Sequence, residues 1–444
     1  MSSNGGTSAV RYRDLFRNRE FSALFVADVL SKVGSQLGKF ALAALVYDRT
    51  RSTSLTAITF AVTFLPGLLG GPILATLADR YPRRQLLITC DIIRASLMAI
   101  IVFGSPFMPV LASLGILLIV EFVRVPFGAA RMAMLADILE GDRFAAGNAL
   151  VGASQQVVQV AGFGVGGFVV VTVGAQTALL ADTLSYAVSA VILGMFIVAR
   201  PTPAPKDGKR PHLLKDTMEG IRIVHETGRL PTLFWLLMLG PTVLATAEGL
   251  AIPYADILGG GDTVAGLFLA AAPFGQAIGL GIVGRMSQRR RERVLIPFSM
   301  AVGLCVALTG FIPLPIVITI GLFLAGIFMG HIAHIQASIV GLITPDVRGR
   351  IIGLGNTVLQ LGQGIAILLA GFVAEQTSLR SVLAWSGIGA VAAVFVVSAV
   401  GSPHGGRHRA DPRQLRRMRR QLRDARQATE HKSASRLTSI HHVR

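Results

Sequence analysis

The sequence predicts an all-α membrane protein: twelve transmembrane helices in two pseudo-symmetric six-helix bundles. Three observations carry that expectation. Apolar runs of spanning length recur along the chain, basic residues fall almost entirely on alternate loops, and two halves of the chain share a faint repeat. Composition agrees. Charged residues make up 15% of the chain, against about 25% in an ordinary globular domain. Hydrophobic residues make up 52%, and glycine occurs 49 times in 444 residues, a blend expected of helices packed in lipid.

Crossing the hydrocarbon core takes about 20 mostly apolar residues. Runs that satisfy this are 20–47, 55–78, 85–104, 109–131, 147–173 and 176–199, then 231–256, 263–285, 294–312, 314–342, 353–374 and 381–400. They divide the chain into a cytoplasmic N-terminus (1–19), a first bundle (20–199), a linker (200–230), a second bundle (231–400) and a basic tail (401–444). The first twenty residues are hydrophilic and basic without an apolar signal core, so the first run is expected to remain in the mature protein. The linker opens "RPTPAPKDGKRP" and continues with Leu213, Leu214, Met218, Ile221 and Val224 on one helical face, as in an interfacial helix. In the tail, Leu415, Met418, Leu422 and Ala425 share a face among arginines. The tail is therefore either a helix bound to anionic lipid or a disordered segment.

The basic residues orient the spans. With the N-terminus inside, 35 of the 42 lysines and arginines lie on inner segments. Three (Arg49, Arg51, Arg380) lie outside and four (Lys32, Lys39, Arg94, Arg124) lie within the membrane. The positive-inside rule then puts both termini in the cytoplasm of a multi-pass plasma (inner) membrane protein. The net charge of +18 is thus topology, and no nucleic-acid partner is expected. Cys90 and Cys305 sit in apolar runs of different halves, which argues against a disulfide framework or a cysteine metal site.

At an offset of 208 residues, Gly141 aligns with Gly349, Gly147 with Gly355, Asn148 with Asn356 and Gln155 with Gln363. The same offset brings the charge burst at 79–84 close to "SQRRRER" at 287–293. A duplicated six-helix unit related by an axis along the membrane normal is a transporter architecture.

The burst itself, Leu77-Ala78-Asp79-Arg80-Tyr81-Pro82-Arg83-Arg84 after Ala75, resembles the loop signature between the second and third helices of the major facilitator superfamily. Ala75 and Pro82 replace the two signature glycines. In that family the loop clasps the two halves at the cytoplasmic face, so the resemblance implies a gate at Asp79, Arg80, Arg83 and Arg84; the alternative is that they only set topology. "RVPFG", Arg124 to Gly128, resembles the family's fourth-helix signature, whose arginine is associated with proton coupling. "AGFGVGGF" resembles the exporter signature of the fifth helix, with Gly162, Gly166 and Gly167 kept and Phe163 in place of proline. "SKVGSQLGKFALAALVYDRT" and "ADTLSYAVSA" are similar to the drug- and siderophore-exporter branch that includes enterobactin and macrolide exporters.

Ionisable groups at membrane depth are costly unless paired or wetted, so each is a candidate site. Asp28, Lys32, Ser35 and Lys39 recur on one stripe of the first span. Counting rise from the apparent helix ends puts Asp28 level with Arg124, and Lys32 level with Glu121. Those two ion pairs are expected. Asp91 and Arg94 read as a structural pair with a snorkelling arginine, and Asp182 as either a helix-packing or a substrate group. Glu248 is the second half's candidate for proton or substrate. His331 and His334 could switch with pH or simply hydrogen-bond between helices. Gly128, Gly162, Gly166 and Gly167 are expected to serve helix packing, as are the spacings Gly275/Gly279 and Gly326/Gly330.

No phosphate loop, triad or metal motif is visible, so neither an enzyme nor a cofactor is expected. The expected function is secondary active transport by alternating access: proton-coupled efflux of a small amphipathic molecule, by a monomer whose partners are substrate, proton gradient and lipid. An importer of the same fold is the first alternative, and a non-transporting sensor or lipid-binding scaffold the second. Lys32 and Lys39 suit an anionic solute and Asp28 and Glu248 a cationic one, which leaves the substrate open.

Overall fold

A computed structural model of the chain describes residues 12–66, 74, 76–200 and 213–401. The linker opening, the basic tail and the signature position Ala75 lie outside the described residues. The rest is helical: α1 Tyr12–Leu15, α2 Arg19–Thr50, α3 Thr53–Ala61, α4 Leu77–Arg80, α5 Arg83–Gly104, α6 Val110–Ile138, α7 Gly141–Val173 and α8 Ala175–Phe196. After the linker come α9 Leu213–Glu226, α10 Leu230–Ile257, α11 Gly261–Arg285, α12 Gln288–Phe311, α13 Pro315–Met329, α14 Ile332–Leu342, α15 Pro345–Gln376 and α16 Leu379–Gly401.

Among the described residues, eleven helices are long and apolar enough to cross a membrane, with α13 and α14 forming one of them. The second expected span runs through 67–73 and 75, and only its ends, α3 and α4, are described. Several helices outrun the apolar segments that announced them. The fifth begins at Gly141, not 147, and the fourth ends at Ile138, not 131. Hydropathy marks only the stretch inside hydrocarbon, whereas backbone hydrogen bonding continues into the headgroup layer.

Local chemistry sets the ends. Asn18 caps α2 by accepting from the backbone N–H of Glu20 (2.9 Å) and Phe21 (3.2 Å), two of the donors that a helix start leaves unpaired. At the other end Arg51 adopts φ +50°, reversing the chain so that Ser52 caps α3 through the N–H of Leu55. Arg200 clamps Glu20 bidentately (2.7 and 2.9 Å), which ties the start of α2 to the residues following α8. We call this the near end, and the end carrying residues 51–52 the far end.

Glycines let the helices close up. Pairs α2–α8 and α11–α13 are in close contact. A Cβ on Gly38 would lie 2.2 Å from Asp182 Oδ2, and one on Gly34 would lie 2.1 Å from Ser185 Oγ. In the second half, a Cβ on Gly275 would lie 2.0 Å from the Phe323 carbonyl, and one on Gly326 2.0 Å from the Ala272 carbonyl. Those backbones touch, as small-residue spacing in lipid permits. Gly128 departs from the expectation: a Cβ there would meet nothing within 4 Å. It lies one turn beyond Arg124 on the same, open face of α6, so it does not serve helix contact.

A buried polar cluster fills the first half between α5, α6 and α8. Arg94 does not snorkel. It is 3% exposed, bonded to Asp91 at 3.1 Å, and lies 4.0 Å above the Tyr186 ring and 5.2 Å from that of Phe127. Ser189 Oγ donates to the other Asp91 oxygen at 2.6 Å, and Tyr186 OH shares a hydrogen bond with Ser35 Oγ at 2.7 Å. Three sides of the guanidinium are thus filled by protein, which makes a path to the headgroups unnecessary. Breaking this pair leaves a buried cation: Asp91→Leu is expected to cost about 3–5 kcal/mol, read as a marked fall in melting temperature of the purified protein.

Candidate functional site

Between the two halves lies a cavity of about 390 Å³. It takes Gln156 and Gln159 from α7, Glu248 from α10, Gln276 from α11, Gln336 from α14 and Gln363 from α15. Apolar side chains, among them Phe163, Phe268 and Leu322, form the rest of the wall. Among the described residues none of the five glutamines, nor Glu248, makes a side-chain hydrogen bond or ion pair within the protein. The Gln156 amide oxygen is buried without a partner. Proline interrupts the wall helices at Pro241 and Pro273, where the missing N–H frees a carbonyl one turn earlier. Sequence reasoning singled out Glu248 here and passed over the glutamines, whose signal was an amide at membrane depth rather than a charge.

The halves meet mainly through α7–α11, α3–α15 and α3–α10, and their polar contacts collect at the far end. Arg51 reaches Asp256 at 3.2 Å, and Tyr47 OH donates to the same carboxylate at 3.2 Å. Glu375 accepts from Ser52 Oγ (2.5 Å) and from the Ser54 N–H (3.0 Å), so the second half caps α3 of the first. Beneath these, Gly167 packs on Gly266, where a Cβ on either would approach the other's Cα to within 3 Å. Of these far-end residues the sequence singled out Gly167 for packing and Arg51 only as an outer-loop charge.

At the near end, among the described residues, the side-chain bonds of the signature arginines stay within their own half. Arg83 pairs with Asp137 and donates to the Ala133 carbonyl at 3.3 Å, and Arg84 donates to the Gly194 carbonyl. Asp79 and Arg80 are exposed and make no ion pair among the described residues. The four gate candidates therefore do not bridge the halves in this structure.

The buried charges of α2 and α6 form two clusters, with partners other than those expected. Asp28, 2% exposed, is bonded to Lys32 at 2.7 Å and to Arg131 at 3.2 Å. Glu121 is bonded to Arg124 at 2.5 Å and to Lys39 at 3.4 Å, and Arg124 also donates to the Thr63 carbonyl at 3.2 Å. The expected pairs Asp28–Arg124 and Lys32–Glu121 are replaced for a simple reason. Because α6 continues to Ile138, about two turns beyond the end inferred from hydropathy, Arg131 takes the level assigned to Arg124. Lys39, two turns beyond Lys32, meets Glu121 by the same shift. Each acid takes its other cation from its own helix at i,i+4 or i,i+3 spacing. These five residues and Arg131 are absent from the wall of the glutamine cavity.

Neither histidine lines that cavity. His331 sits at the break between α13 and α14, sharing a hydrogen bond with Ser299 Oγ at 2.9 Å and one with the Phe328 carbonyl at 2.5 Å. His334 is buried with Nε2 unpartnered. Asp182 wedges against Gly34 and Gly38, away from the cavity. Gly162 packs on Gln36, and Gly166 on Leu37 and Phe40. Among the described residues no group of three or more His, Cys, Asp or Glu could hold a metal ion.

The fold is shared with known proteins. The solved structure of a mutant form of the nucleoside transporter NupG superposes with a TM-score of 0.69, covering 86% of this chain and 99% of that one at 12% identity. A POT family transporter in complex with 5-aminolevulinic acid gives 0.68, over 86% and 96% of the two chains, also at 12% identity. By sequence, the uncharacterised MFS-type transporter YkuC of Bacillus subtilis (strain 168) is 24% identical over 81% of this chain and 86% of its own. The enterobactin exporter EntS of Shigella boydii serotype 4 (strain Sb227) is 26% identical over 83% and 88%. The family model MFS_3, transmembrane secretion effector, matches residues 14–430. Two helical halves around a central cavity, with a family match over nearly the whole length, make this chain a member of the transmembrane secretion effector family of major facilitator transporters.

Proposed function

We propose that the chain exports a small amphipathic molecule in exchange for protons, by alternating access, from a cytoplasm that contains both of its termini. The observation that carries this is the asymmetry of the contacts between the halves. They are sealed at the far end by Arg51–Asp256, Glu375 and Gly167–Gly266, while the near-end signature arginines engage only their own half. With the positive-inside orientation, that is a cavity shut toward the outside and released toward the cytoplasm, where an exporter loads. The likeness to an enterobactin exporter supports the direction. Asp28 and Glu121 are the acids assigned to proton handling. Each is held by two cations, so movement of either helix changes the charge around a buried carboxylate and with it the proton affinity. On this reading Asp79, Arg80, Arg83 and Arg84 re-form a near-end clasp when the far end opens.

A pH jump across proteoliposomes tests this whichever way the protein inserts. An antiporter accumulates substrate in vesicles that are acid inside, because protons leaving drive substrate in. A symporting importer accumulates it in vesicles that are alkaline inside, and flux indifferent to the gradient removes proton coupling altogether. Truncation after residue 401 separates transport from a scaffold role: flux is expected to persist without the tail.

A further inference from the structure

The wall of the central cavity carries more recognition chemistry than export by itself requires. Six hydrogen-bonding side chains converge there from five helices, and among the described residues none is engaged by the protein. Buried polar groups are normally satisfied, and one of these, the Gln156 amide oxygen, is both buried and without a donor. Each glutamine amide both donates and accepts, whereas an ionised carboxylate only accepts. Glu248 is the sole ionisable group among the wall residues. The cation acting on it electrostatically is Lys39, which is already held by Glu121 at 3.4 Å.

We infer that the cavity binds a molecule presenting one ammonium group on an otherwise neutral, hydrogen-bonding framework. Glu248 takes the ammonium, and the amides of Gln156, Gln159, Gln276, Gln336 and Gln363 take the neutral donors and acceptors. Phe163 and Phe268 supply the apolar contact that a substrate body needs. A volume of about 390 Å³ suits a drug-sized ligand. An anionic solute would bring a second negative charge beside Glu248 with no cation on the wall to offset it, and like charges at close range disfavour one another. Sites built to hydrogen-bond a particular group reject analogues that lack it, because their own buried polar atoms are then left unpaired. The scattered lysines and acids of the sequence thereby sort themselves: Lys32 and Lys39 are committed to protein carboxylates, and the carboxylate free for a ligand is Glu248.

The inference rests on the transporter reading only in taking this cavity as the substrate's place, so its test measures binding without flux. Three probes sharing one fluorophore are titrated into the purified full-length protein: dansyl-ethylenediamine (cationic), dansylamide (neutral) and dansylglycine (anionic). The expected order of affinity is cation, neutral, anion. Glu248→Gln, nearly isosteric, is expected to weaken the cation about tenfold, a change of ~1.4 kcal/mol, and to shift dansylamide less than twofold. Gln276→Leu is expected to weaken all three. Equal affinities, a tighter anion, an equal effect of Glu248→Gln on all probes, or no binding of any probe overturns the inference. If the order holds while the pH jump gives no flux, the transport reading fails and the site stands; if flux is seen with no charge preference, transport stands and the site fails.

Discussion

Gly266→Val is expected to abolish transport while leaving the protein folded and monodisperse. Gly266 stands where α11 of one half crosses α7 of the other. A Cβ there would lie 2.9 Å from the Gly167 Cα, 3.0 Å from the Phe163 carbonyl and 3.1 Å from the Gly167 nitrogen. All three are backbone atoms, so no side chain can rotate out of the way. The helix itself gains by the exchange, since glycine is about 1 kcal/mol worse than alanine in a helix interior and valine falls between them. What is lost is the far-end seal, because the halves can no longer close over the cavity. Flux in proteoliposomes is expected to fall by at least about tenfold, equivalent to ~1.4 kcal/mol or more. A cysteine placed at Ala272 on the cavity wall should become reactive to an impermeant maleimide from the far side; native Cys90 and Cys305 are buried. The contrast is Gly326→Val, inside the second half, where the added atom would sit 2.0 Å from the Ala272 carbonyl and is expected to prevent folding. Wild-type flux in Gly266→Val would mean that closure at this crossing is dispensable.

The second large effect concerns the two carboxylates that each hold a pair of cations. Glu121→Gln strands Lys39 and Arg124, and Asp28→Asn strands Lys32 and Arg131. Removing one partner from a fully buried ion pair costs about 3–5 kcal/mol; here the stranded cations keep 16–43% of their side-chain surface exposed, so water offsets part of that cost. Both variants are expected to show reduced yield and a lower melting temperature. Adding Lys39→Met to Glu121→Gln should recover part of the loss, because one half-buried cation then vanishes with its counter-charge. The functional readout differs from the structural one. In the folded fraction of Asp28→Asn, the dependence of flux on pH is expected to flatten, since a site that would take up a proton has gone. An unchanged pH profile removes Asp28 from the proton path, whatever its effect on stability.

The spans, their order and the presence of charge at depth were legible in the sequence because each is a one-dimensional property. Hydropathy located eleven described helices, and the second expected span lies partly outside the described residues. What hydropathy could not locate was where hydrogen bonding stops. That gap of about two turns at the end of α6 moved Arg131 into the place given to Arg124, and Lys39 into the place given to Lys32. The far-end seal was illegible for another reason. Asp256 and Glu375 are 205 and 323 residues from their partners Arg51 and Ser52 and look like ordinary loop charges. The cavity glutamines are uncharged, and attention to ionisable groups alone passes over them. Gly128 was misread because a family position was carried over without the face of the helix on which it falls. Arg94 was misread because the two aromatic rings that enclose it come from other helices.

The close fit of α2 against α8 also restricts how related chains can differ. Because the Asp182 carboxylate occupies the space that a methyl at position 38 would need, and the Ser185 hydroxyl the space of one at position 34, these sites cannot vary one at a time. Alanine at 38 becomes tolerable only beside a shorter residue at 182, and alanine at 34 only beside glycine at 185, since a Cβ at 34 would also lie 2.6 Å from the Ser185 Cβ. In an alignment, or in a library randomised at all four positions, the survivors should therefore appear as matched couples, with large residues never coinciding across the crossing.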